Sequence, residues 1–392
     1  MNAPVITTRK LARALTALSV LVSAAPAFAG DEQAVLPPLT KITSIASTVP
    51  GNGDVNPYGV AQVRHTIGNL RAGDILVSNF NNSNNVQGTG TTIVEVAPDG
   101  SVALFAAIDA ATLPGSCPGG VGLTTALVVL RQGWVIVGSL PTAQGVLSGS
   151  GCLIVLDSLG KAVETFYGSL INGPWDMTAL DDEHEAKLFV TNVLNGILDD
   201  PTAEADNTVV QQGTVTRLNL KVSSGAMPQL ESITVIAAGF PERTDPAALI
   251  IGPTGVALRA DCDGGDCAGH DSDRDERALL YVADTLSNRI AVIDHPLGRA
   301  TAAGVGRTLS SGGSLNGPLG MVITSGGHLL TVNGGDGFIT EIAADGKQVA
   351  KVLLDSTGSP PGNGALFGLA FDPARGVYFV DDNTNTFNLL HR

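Results

Sequence analysis

The chain has 392 residues, with 22 Lys and Arg against 37 Asp and Glu, which gives a formal charge of −15. A field of this sign repels nucleic-acid phosphates and anionic lipids, so both partner classes are disfavoured and cations are favoured. Aromatic residues make up only 4% of the chain, which weighs against a sugar-binding surface built from stacking platforms.

The N-terminal residues 1–29 have the layout of a secretory signal peptide. Three basic residues precede an apolar stretch from Ala14 to Ala25, and Ala27-Phe28-Ala29 follows before Gly30. The apolar stretch is too short to span a bilayer as a helix. We therefore expect an exported protein, periplasmic or extracellular, with no membrane insertion. The loss of three basic residues would change the formal charge of the mature chain, residues 30–392, to −18.

The four cysteines form two local pairs, Cys117 with Cys152 and Cys262 with Cys267. An exported chain meets an oxidising compartment, where such pairs form disulfide bonds. The sequence therefore predicts two disulfides with this connectivity. A zinc site that uses Cys262, Cys267 and His270 is the alternative, although no fourth ligand is spaced to complete a tetrahedron.

A short turn motif, most often ending in a Gly-apolar pair, recurs six times along the mature chain. Pro and Gly in these copies set up a turn and then release the chain into a strand. The copies are residues 56–60, 120–123, 173–177, 252–256, 317–321 and 366–369.

Each copy is followed by a short apolar strand that ends on a small or polar residue. In most units a hairpin comes next, joined by a turn such as Pro98-Asp99-Gly100. Each unit is thus four antiparallel strands, and six units predict an all-β fold, a six-bladed β-propeller in a single domain over residues 30–392. The second strands are residues 75–79, 135–139, 188–192, 280–284, 329–334 and 377–382.

The sixth unit has only three strands before Arg392, whereas the mature N-terminus has a spare strand-like run from Leu39 to Ala46. We expect this N-terminal strand to close the last blade and hide its sheet edge. Two insertions, Leu194–Gln212 in blade three and Arg259–Arg277 in blade four, are expected to form loops.

Blade four resembles a repeat of the NHL family through Gly252-Pro253-Thr254-Gly255-Val256-Ala257 and residues 280–290. The resemblance covers essentially the whole mature chain and implies the propeller fold. NHL-like propellers include binding scaffolds and enzymes, so function has to be argued from the site.

The chain also resembles the gluconolactonase-like lactonases at Tyr281-Val282-Ala283-Asp284. In that family such an Asp takes part in a central divalent-metal site, so the resemblance implies Asp284 as a metal ligand. Asn56-Pro57-Tyr58 stands where that family has a Glu-Gly-Pro motif.

The residues that end the second strand of each blade are expected to form a polar ring on one face. Four of its members carry oxygens that suit a hard cation such as Ca²⁺. The alternative is structural, with these side chains capping turns or bonding to the adjacent blade. The ring comprises Asn79, Ser139, Asn192, Asp284, Gly334 and Asp382, of which Asn79, Asn192, Asp284 and Asp382 are the candidate ligands.

Three aromatic residues, Tyr58, Trp175 and Phe367, occupy nearly matching positions in the turns that lead into their blades. They are candidates for ligand binding at an apolar mouth over the propeller axis, and packing between blades is the alternative. Arg289 follows Asp284 in the repeat and is expected to form a structural ion pair, with catalysis as the minor option.

The insertion in blade four carries seven carboxylates within residues 261–276. Such a density requires compensation by cations or by solvent, so a bound cation and a solvated loop pinned by a disulfide are both open. The candidate ligands are Asp261, Asp263, Asp271, Asp273 and Asp275.

Motifs for nucleophilic serine, zinc-protease, phosphate and dinucleotide chemistry are absent from the sequence, so no nucleotide or flavin is expected. The leading hypothesis is an exported, monomeric binding or interaction scaffold for a protein or small-molecule ligand, with bound Ca²⁺ or another divalent cation as an option. The alternative is a metal-dependent hydrolase or lactonase whose cation lies at the axial end of the propeller.

Overall fold

The computed structural model describes residue 1 and residues 33–143, 145–182, 184–197, 207–223, 225–245, 248–260 and 272–392, without the side chains of residues 272–274. The predicted signal peptide and the Cys262–Cys267 pair lie outside these residues. The described ranges contain a 3-10 turn at Ala110–Thr112 and a short helix, α1, at Ser272–Arg277. No helix within them has the length and apolar character needed to cross a bilayer.

The described strands form six antiparallel blades, which confirms the predicted propeller. In blade one the order from the inside is β2 Val55–Gln62, β3 Ile75–Asn81, β4 Thr92–Val96 and β5 Val102–Ala107. Blade two has β6 Leu123–Val129, β7 Val135–Ser139, β10 Cys152–Leu156 and β11 Ala162–Phe166, with a small hairpin of β8 Thr142–Ala143 and β9 Val146–Leu147.

Blade three has five described strands, where four were expected: β12 Pro174–Asp181, β13 Glu185–Asn192, β14 Val210–Ser223, β15 Ala226–Asp245 and β16 Leu249–Ile251. Blade four has β17 Pro253–Arg259, β18 Leu279–Asp284, β19 Arg289–Asp294 and β20 Arg307–Ser311. Blade five has β21 Pro318–Ile323, β22 Leu329–Asn333, β23 Phe338–Ile342 and β24 Gln348–Leu353.

Blade six is completed by the N-terminal strand, as the sequence predicts. Its strands are β25 Leu366–Asp372, β26 Gly376–Asp381, β27 Thr386–His391 and, outermost, β1 Lys41–Ser47. Strands β1 and β27 are antiparallel, with Lys41 opposite His391. The pairing gives β27 a partner on its outer side and so removes an exposed sheet edge.

The segment that precedes β1 is also held in place. The buried carboxylate of Glu341 accepts hydrogen bonds from the backbone N–H groups of Val35 and Leu36 at 2.8 and 2.9 Å, and it pairs with Nδ1 of His328 at 2.7 Å. Leu36 is fully buried in the apolar cluster shared by blades five and six. The N-terminal segment is therefore anchored to two blades.

The inner strands β2, β6, β12, β17, β21 and β25 contact one another in sequence, and β25 contacts β2. These contacts close the ring around a central channel. Glycines allow the close approach: a Cβ on Gly255 or Gly320 would collide with the carbonyl oxygen of Leu319 or Phe367 in the next blade.

The strand register changes two members of the predicted polar ring. In blades five and six the residues paired with the start of the inner strand are Asn333 and Asp381. The assignment of Gly334 and Asp382 to these positions is wrong by one residue, because small or polar residues continue past both strand ends and the sequence pattern does not show where pairing stops. The equivalent residues are Asn79, Ser139, Asn192, Asp284, Asn333 and Asp381.

One of the two predicted disulfides is confirmed. Cys117 and Cys152 are bonded, with a Cα–Cα distance of 5.2 Å, and the bond ties the segment before β6 to the start of β10. A bond that closes a loop of this size restricts the unfolded chain and stabilises the fold by about 2–4 kcal/mol.

Candidate functional site

A cleft of about 520 Å³ lies at one axial end of the ring, where the inner strands begin. Its walls come from the segments that lead into the inner strands and from the turns after the second strands. Such a volume is in the range of small-molecule sites. Lining residues include Asn56, Trp175, Ala248, Thr254, Asn316 and Asp382.

The floor of the cleft is aromatic. Tyr58 stacks on Phe367 with ring centroids 3.9 Å apart and on Phe80 at 4.5 Å, and Trp175 meets Tyr58 edge-on at 5.8 Å. Tyr58, Trp175 and Phe367, the three aromatic residues singled out in the sequence, all line the cleft. They also belong to the buried apolar cluster beneath it, so packing and the cleft floor involve the same side chains. Their part in ligand binding stays a prediction.

One wall of the cleft carries the half-buried carboxyl group of Asp382. The backbone of Asp382 donates its N–H to the carbonyl of Ala365 at 2.8 Å, but no hydrogen bond or ion pair joins its carboxylate to another described residue. Burial, together with the charge of neighbouring Asp381, raises the pKa of Asp382 to about 7. Near neutral pH this group is therefore poised between its acid and carboxylate forms.

Two further carboxyl groups stand behind Asp382, and both have partners. Asp381 accepts the N–H of Thr384, and Asp355 accepts hydrogen bonds from Thr357 and Asn383. Burial and the charge of Asp355 raise the pKa of Asp381. The three acids make this side of the cleft electronegative.

The wall from blade three is a feature that the sequence analysis missed. Strands β14 and β15 form a long hairpin that extends past the blade, and β16 folds back along the end of β15. Asp245 at this end pairs with Arg243 at 2.7 Å and accepts the N–H of Ala248 at 3.0 Å. The extension thus supplies a wall whose carboxylate is neutralised within its own strand.

Of the four predicted ring ligands, Asp382 lines the cleft and the other three do not. Asn79 and Asn192 are fully buried and donate from their side-chain amides within the fold: Asn79 to the carbonyl of Thr48 and the hydroxyl of Thr92, Asn192 to the hydroxyl of Thr216. Asp284 is 1% exposed and pairs with Arg289. Each leaves one oxygen without a hydrogen-bond partner among the described residues.

Arg289 has the structural role expected for it. Its Nε pairs with Asp284 at 2.8 Å, Nη1 donates to the hydroxyl of Thr308, and Nη2 donates to the carbonyl of Val305. These bonds link the end of β18 to β20 and the segment that precedes it, within blade four. A guanidinium held on three sides in this way fixes the position of the Asp284 carboxylate.

The shared cation site predicted for these four residues stays a prediction. Ca²⁺ needs six to eight oxygens at about 2.3–2.6 Å. Asp382 lines the cleft, whereas Asn79, Asn192 and Asp284 are buried in blades one, three and four. Among the described residues, no three His, Cys, Asp or Glu side chains are grouped closely enough to hold a metal ion.

The acidic insertion is described only at its end. Asp261, Asp263 and Asp271 and the side chain of Asp273 lie outside the described residues. Asp275, in α1, accepts the N–H of Leu297 at 2.9 Å, and its charge partly offsets the burial that lowers the pKa of Arg217. Asp275 therefore anchors α1 to the loop after β19. The cation prediction for this insertion stays a prediction.

A second acidic group, Asp176, faces the central channel and was also missed in the sequence. The channel, of about 370 Å³, is lined by the later halves of the inner strands. The carboxylate accepts the N–H of Met177 at 2.8 Å and that of Val256, in the next blade, at 3.0 Å. Burial raises the pKa of Asp176 to about 7, and these two bonds oppose the rise. The available signal was that Gly59, Gly255, Gly320 and Gly368 stand at this position in other blades.

Comparison with solved structures establishes the fold. The chain is similar to a gluconolactonase from Xanthomonas campestris, with 15% identity, a TM-score of 0.53, and coverage of 91% of this chain and 90% of that one. It is also similar to regucalcin, a calcium-binding protein from Agrobacterium tumefaciens, with 14% identity, a TM-score of 0.51, and coverage of 88% and 93%. No protein-family model and no curated protein sequence matches the chain.

Proposed function

We propose that this protein is an exported binding propeller that holds a small organic ligand in the axial cleft without transforming it. The observation that carries the proposal is the make-up of the cleft. An aromatic floor is combined with an amide and hydroxyl rim and with one unpaired carboxyl, that of Asp382. Sites for small ligands have this composition, with apolar area for affinity and a few polar groups for orientation.

Export is part of the proposal and has two supports. The sequence predicts a signal peptide over residues 1–29, and the Cys117–Cys152 disulfide is a bond that persists in oxidising compartments. A protein released into a dilute environment gains from a negative field, which concentrates cationic solutes near its surface.

A ligand-detected NMR screen on the purified mature chain tests the binding function. We expect small aromatic fragments to bind the wild-type protein. We expect the NMR signal of binding to disappear in Ala248→Trp, because the indole ring fills the cleft. Ala344→Trp is the matched control, because Ala344 is exposed in the turn between β23 and β24, at the other end of the ring. Equal binding to both variants would show that the fragments do not use the cleft.

The alternative, a metal-dependent hydrolase or lactonase, is tested on the same protein. A panel of lactones and esters is incubated with and without Ca²⁺ and Zn²⁺, and turnover is compared in wild type, Asp284→Ala and Asp382→Ala. We expect no cation-dependent turnover. Hydrolysis that requires a cation and is lost in both variants would overturn the binding proposal in favour of the enzyme.

A further inference from the structure

We infer that the ligand of the axial cleft is an organic cation, whose ammonium group pairs with the carboxylate of Asp382 while its apolar part packs on the apolar lining beside Phe367 and Leu319. The inference rests on the binding function proposed above and adds the chemical class of the ligand. It follows from three properties of the cleft: the free carboxylate, the distribution of charge around it, and the floor beneath it.

The free carboxylate is the first property. Asp382 is half-buried, and its carboxylate has no hydrogen-bond or ion-pair partner among the described residues. Neighbouring Asp381 and Asp355 show the usual arrangement in this fold, in which side-chain oxygens accept hydrogen bonds from nearby turns. A carboxylate withdrawn from water without a partner destabilises the protein. A bound ammonium donates the missing hydrogen bonds and neutralises the charge.

The distribution of charge selects the sign of the ligand. No Lys, Arg or His is among the described residues that line the cleft. Asp245, which lines the cleft, engages the guanidinium of Arg243 at 2.7 Å. Asp381 and Asp355 stand behind Asp382, and the whole chain carries a formal charge of −15. An anionic ligand would be repelled at every stage of approach, whereas a cation is attracted.

The floor selects an organic cation over a metal ion. Tyr58 is stacked between Phe80 and Phe367 and is 1% exposed, so the apolar surface open to a ligand comes from Phe367, 7% exposed, and from the partly exposed Ile251 and Leu319. An apolar lining of this kind buries the hydrocarbon attached to an ammonium group. One free carboxylate with amide oxygens such as those of Asn316 and Asn363 is too few donors for Ca²⁺ but enough for an ammonium with three N–H groups.

The protonation of Asp382 is consistent with this pairing. The charge of Asp381 acts on this carboxyl, and Asp355 in turn acts on Asp381. Tyr58 and Asp245, which is paired with Arg243, are the other titratable residues of the described cleft lining. Burial and the charge of Asp382 raise the pKa of Tyr58 well above its usual value, so Tyr58 stays neutral. Asp382 is then the group whose charge changes near neutral pH.

The experiment compares matched fragments that differ only in charge. Phenethylammonium, 2-phenylethanol and 3-phenylpropionate are titrated at pH 8 into wild type, Asp382→Asn, Ala248→Trp and the control Asp99→Asn. Asp99 is exposed in the turn between β4 and β5, at the opposite end of the ring, so its substitution removes the same charge without touching the cleft. Dissociation constants are measured by ligand-detected NMR and by calorimetry.

We expect the ammonium to bind at least about tenfold more tightly than the alcohol, and Asp382→Asn to abolish that preference while Asp99→Asn keeps it. Equal affinity for the three fragments, or a preference for the ammonium that survives in Asp382→Asn, overturns the inference. If Ala248→Trp still blocks the binding of all three fragments, the cleft remains a binding site. Binding that Ala248→Trp does not reduce, or no binding of any fragment at 10 mM (about 2.7 kcal/mol), overturns the proposed function and the inference with it.

Discussion

Two carboxyl groups near the propeller axis have a pKa raised to about 7, but they differ in what surrounds them. Asp176 faces the central channel and accepts two backbone N–H groups, one of them from the next blade. Asp382 lines the open cleft and its carboxylate accepts no hydrogen bond from a described residue. Burial is the main cause of the raised pKa in both groups.

The difference separates a structural acid, Asp176, from Asp382, the acid that we propose binds a ligand. A carboxylate that satisfies two backbone N–H groups stabilises the ring and has little capacity left for a ligand. A carboxylate without partners costs stability when ionised and gains most from a ligand that donates to it. A raised pKa by itself does not distinguish the two roles, and hydrogen bonding does.

Glu242 in β15 extends the comparison to a carboxyl that has neither partners nor solvent. It is fully buried, neither oxygen has a hydrogen-bond partner among the described residues, and burial raises its pKa to about 9. Because its folded pKa lies above its unfolded value, the folded state holds the proton more tightly. The contribution of this group to the free energy of unfolding is therefore fully present at low pH. It is lost as pH rises from about 4.5 to about 9, by about 1.4 kcal/mol per pH unit.

Glu242→Gln removes this loss. We expect the stability of the variant relative to wild type to increase by about 4 kcal/mol between pH 5 and pH 8, measured by urea unfolding at each pH. Glu231→Gln is the control, because Glu231 is exposed on the same strand. A difference between Glu242→Gln and wild type that does not change with pH would show that Glu242 is not held in its neutral form.

Asp176→Ala should produce the next largest effect. The substitution leaves the N–H groups of Met177 and Val256 without their acceptor and removes a contact between blades three and four. We expect the free energy of unfolding to fall by about 3 kcal/mol in urea titrations. Asp176→Asn, which keeps one acceptor oxygen, should lose less. An unchanged unfolding midpoint in both variants would contradict a structural role.

Affinity at the cleft should depend on pH in the direction set by Asp382. The carboxylate pairs with a cation and its protonated form does not, so binding of phenethylammonium should weaken about tenfold between pH 8 and pH 6, as the pH falls below about 7. The affinity of 2-phenylethanol should stay constant over the same range. Calorimetry in buffers of different ionisation enthalpy measures the accompanying release of a proton. Pairing through Asp382 is contradicted by parallel pH profiles for the two fragments.

The smallest effect is expected for the stability of Asp382→Asn. The folded pKa of Asp382 is raised, so its contribution to stability is lost as pH rises from about 4 to about 7. The substitution should therefore stabilise the free protein above pH 7, by about 1 kcal/mol or less, because the side chain is partly exposed to solvent. Destabilisation comparable to that of Asp176→Ala would show that Asp176 and Asp382 do not differ as described.

The sequence predicts the fold well because each blade repeats a signal that is local. A Pro-Gly turn and an apolar second strand are visible in any window of about 25 residues, as at Gly252–Ala257 and Leu280–Asp284 in blade four. The closing strand is also predictable, because the last blade lacks one strand and residues 39–46 are unassigned. The aromatic floor is predictable as well, because Tyr58, Trp175 and Phe367 occupy nearly matching positions in their blades and a closed ring brings such positions together.

The cleft is less predictable because its features depend on where the repeat deviates. Asp381, and not Asp382, belongs to the polar ring because it pairs with Leu366 at the start of the inner strand. The alternation of apolar and polar residues in the sequence does not identify this partner. The wall from β16 arises because β15 is 20 residues long and continues past its blade, a length that tertiary packing decides. The number of partners of a carboxylate, which separates Asp176 from Asp382, is a property of neighbours distant in sequence.

The pairing of β1 with β27 closes the ring within blade six, between two strands that are far apart in the sequence. Because Lys41 and His391 are paired, a circular permutant can join β27 to β1 through a short linker and begin instead at Leu159, which is exposed in the turn between β10 and β11. Both axial acids and the aromatic floor would keep their positions in such a permutant.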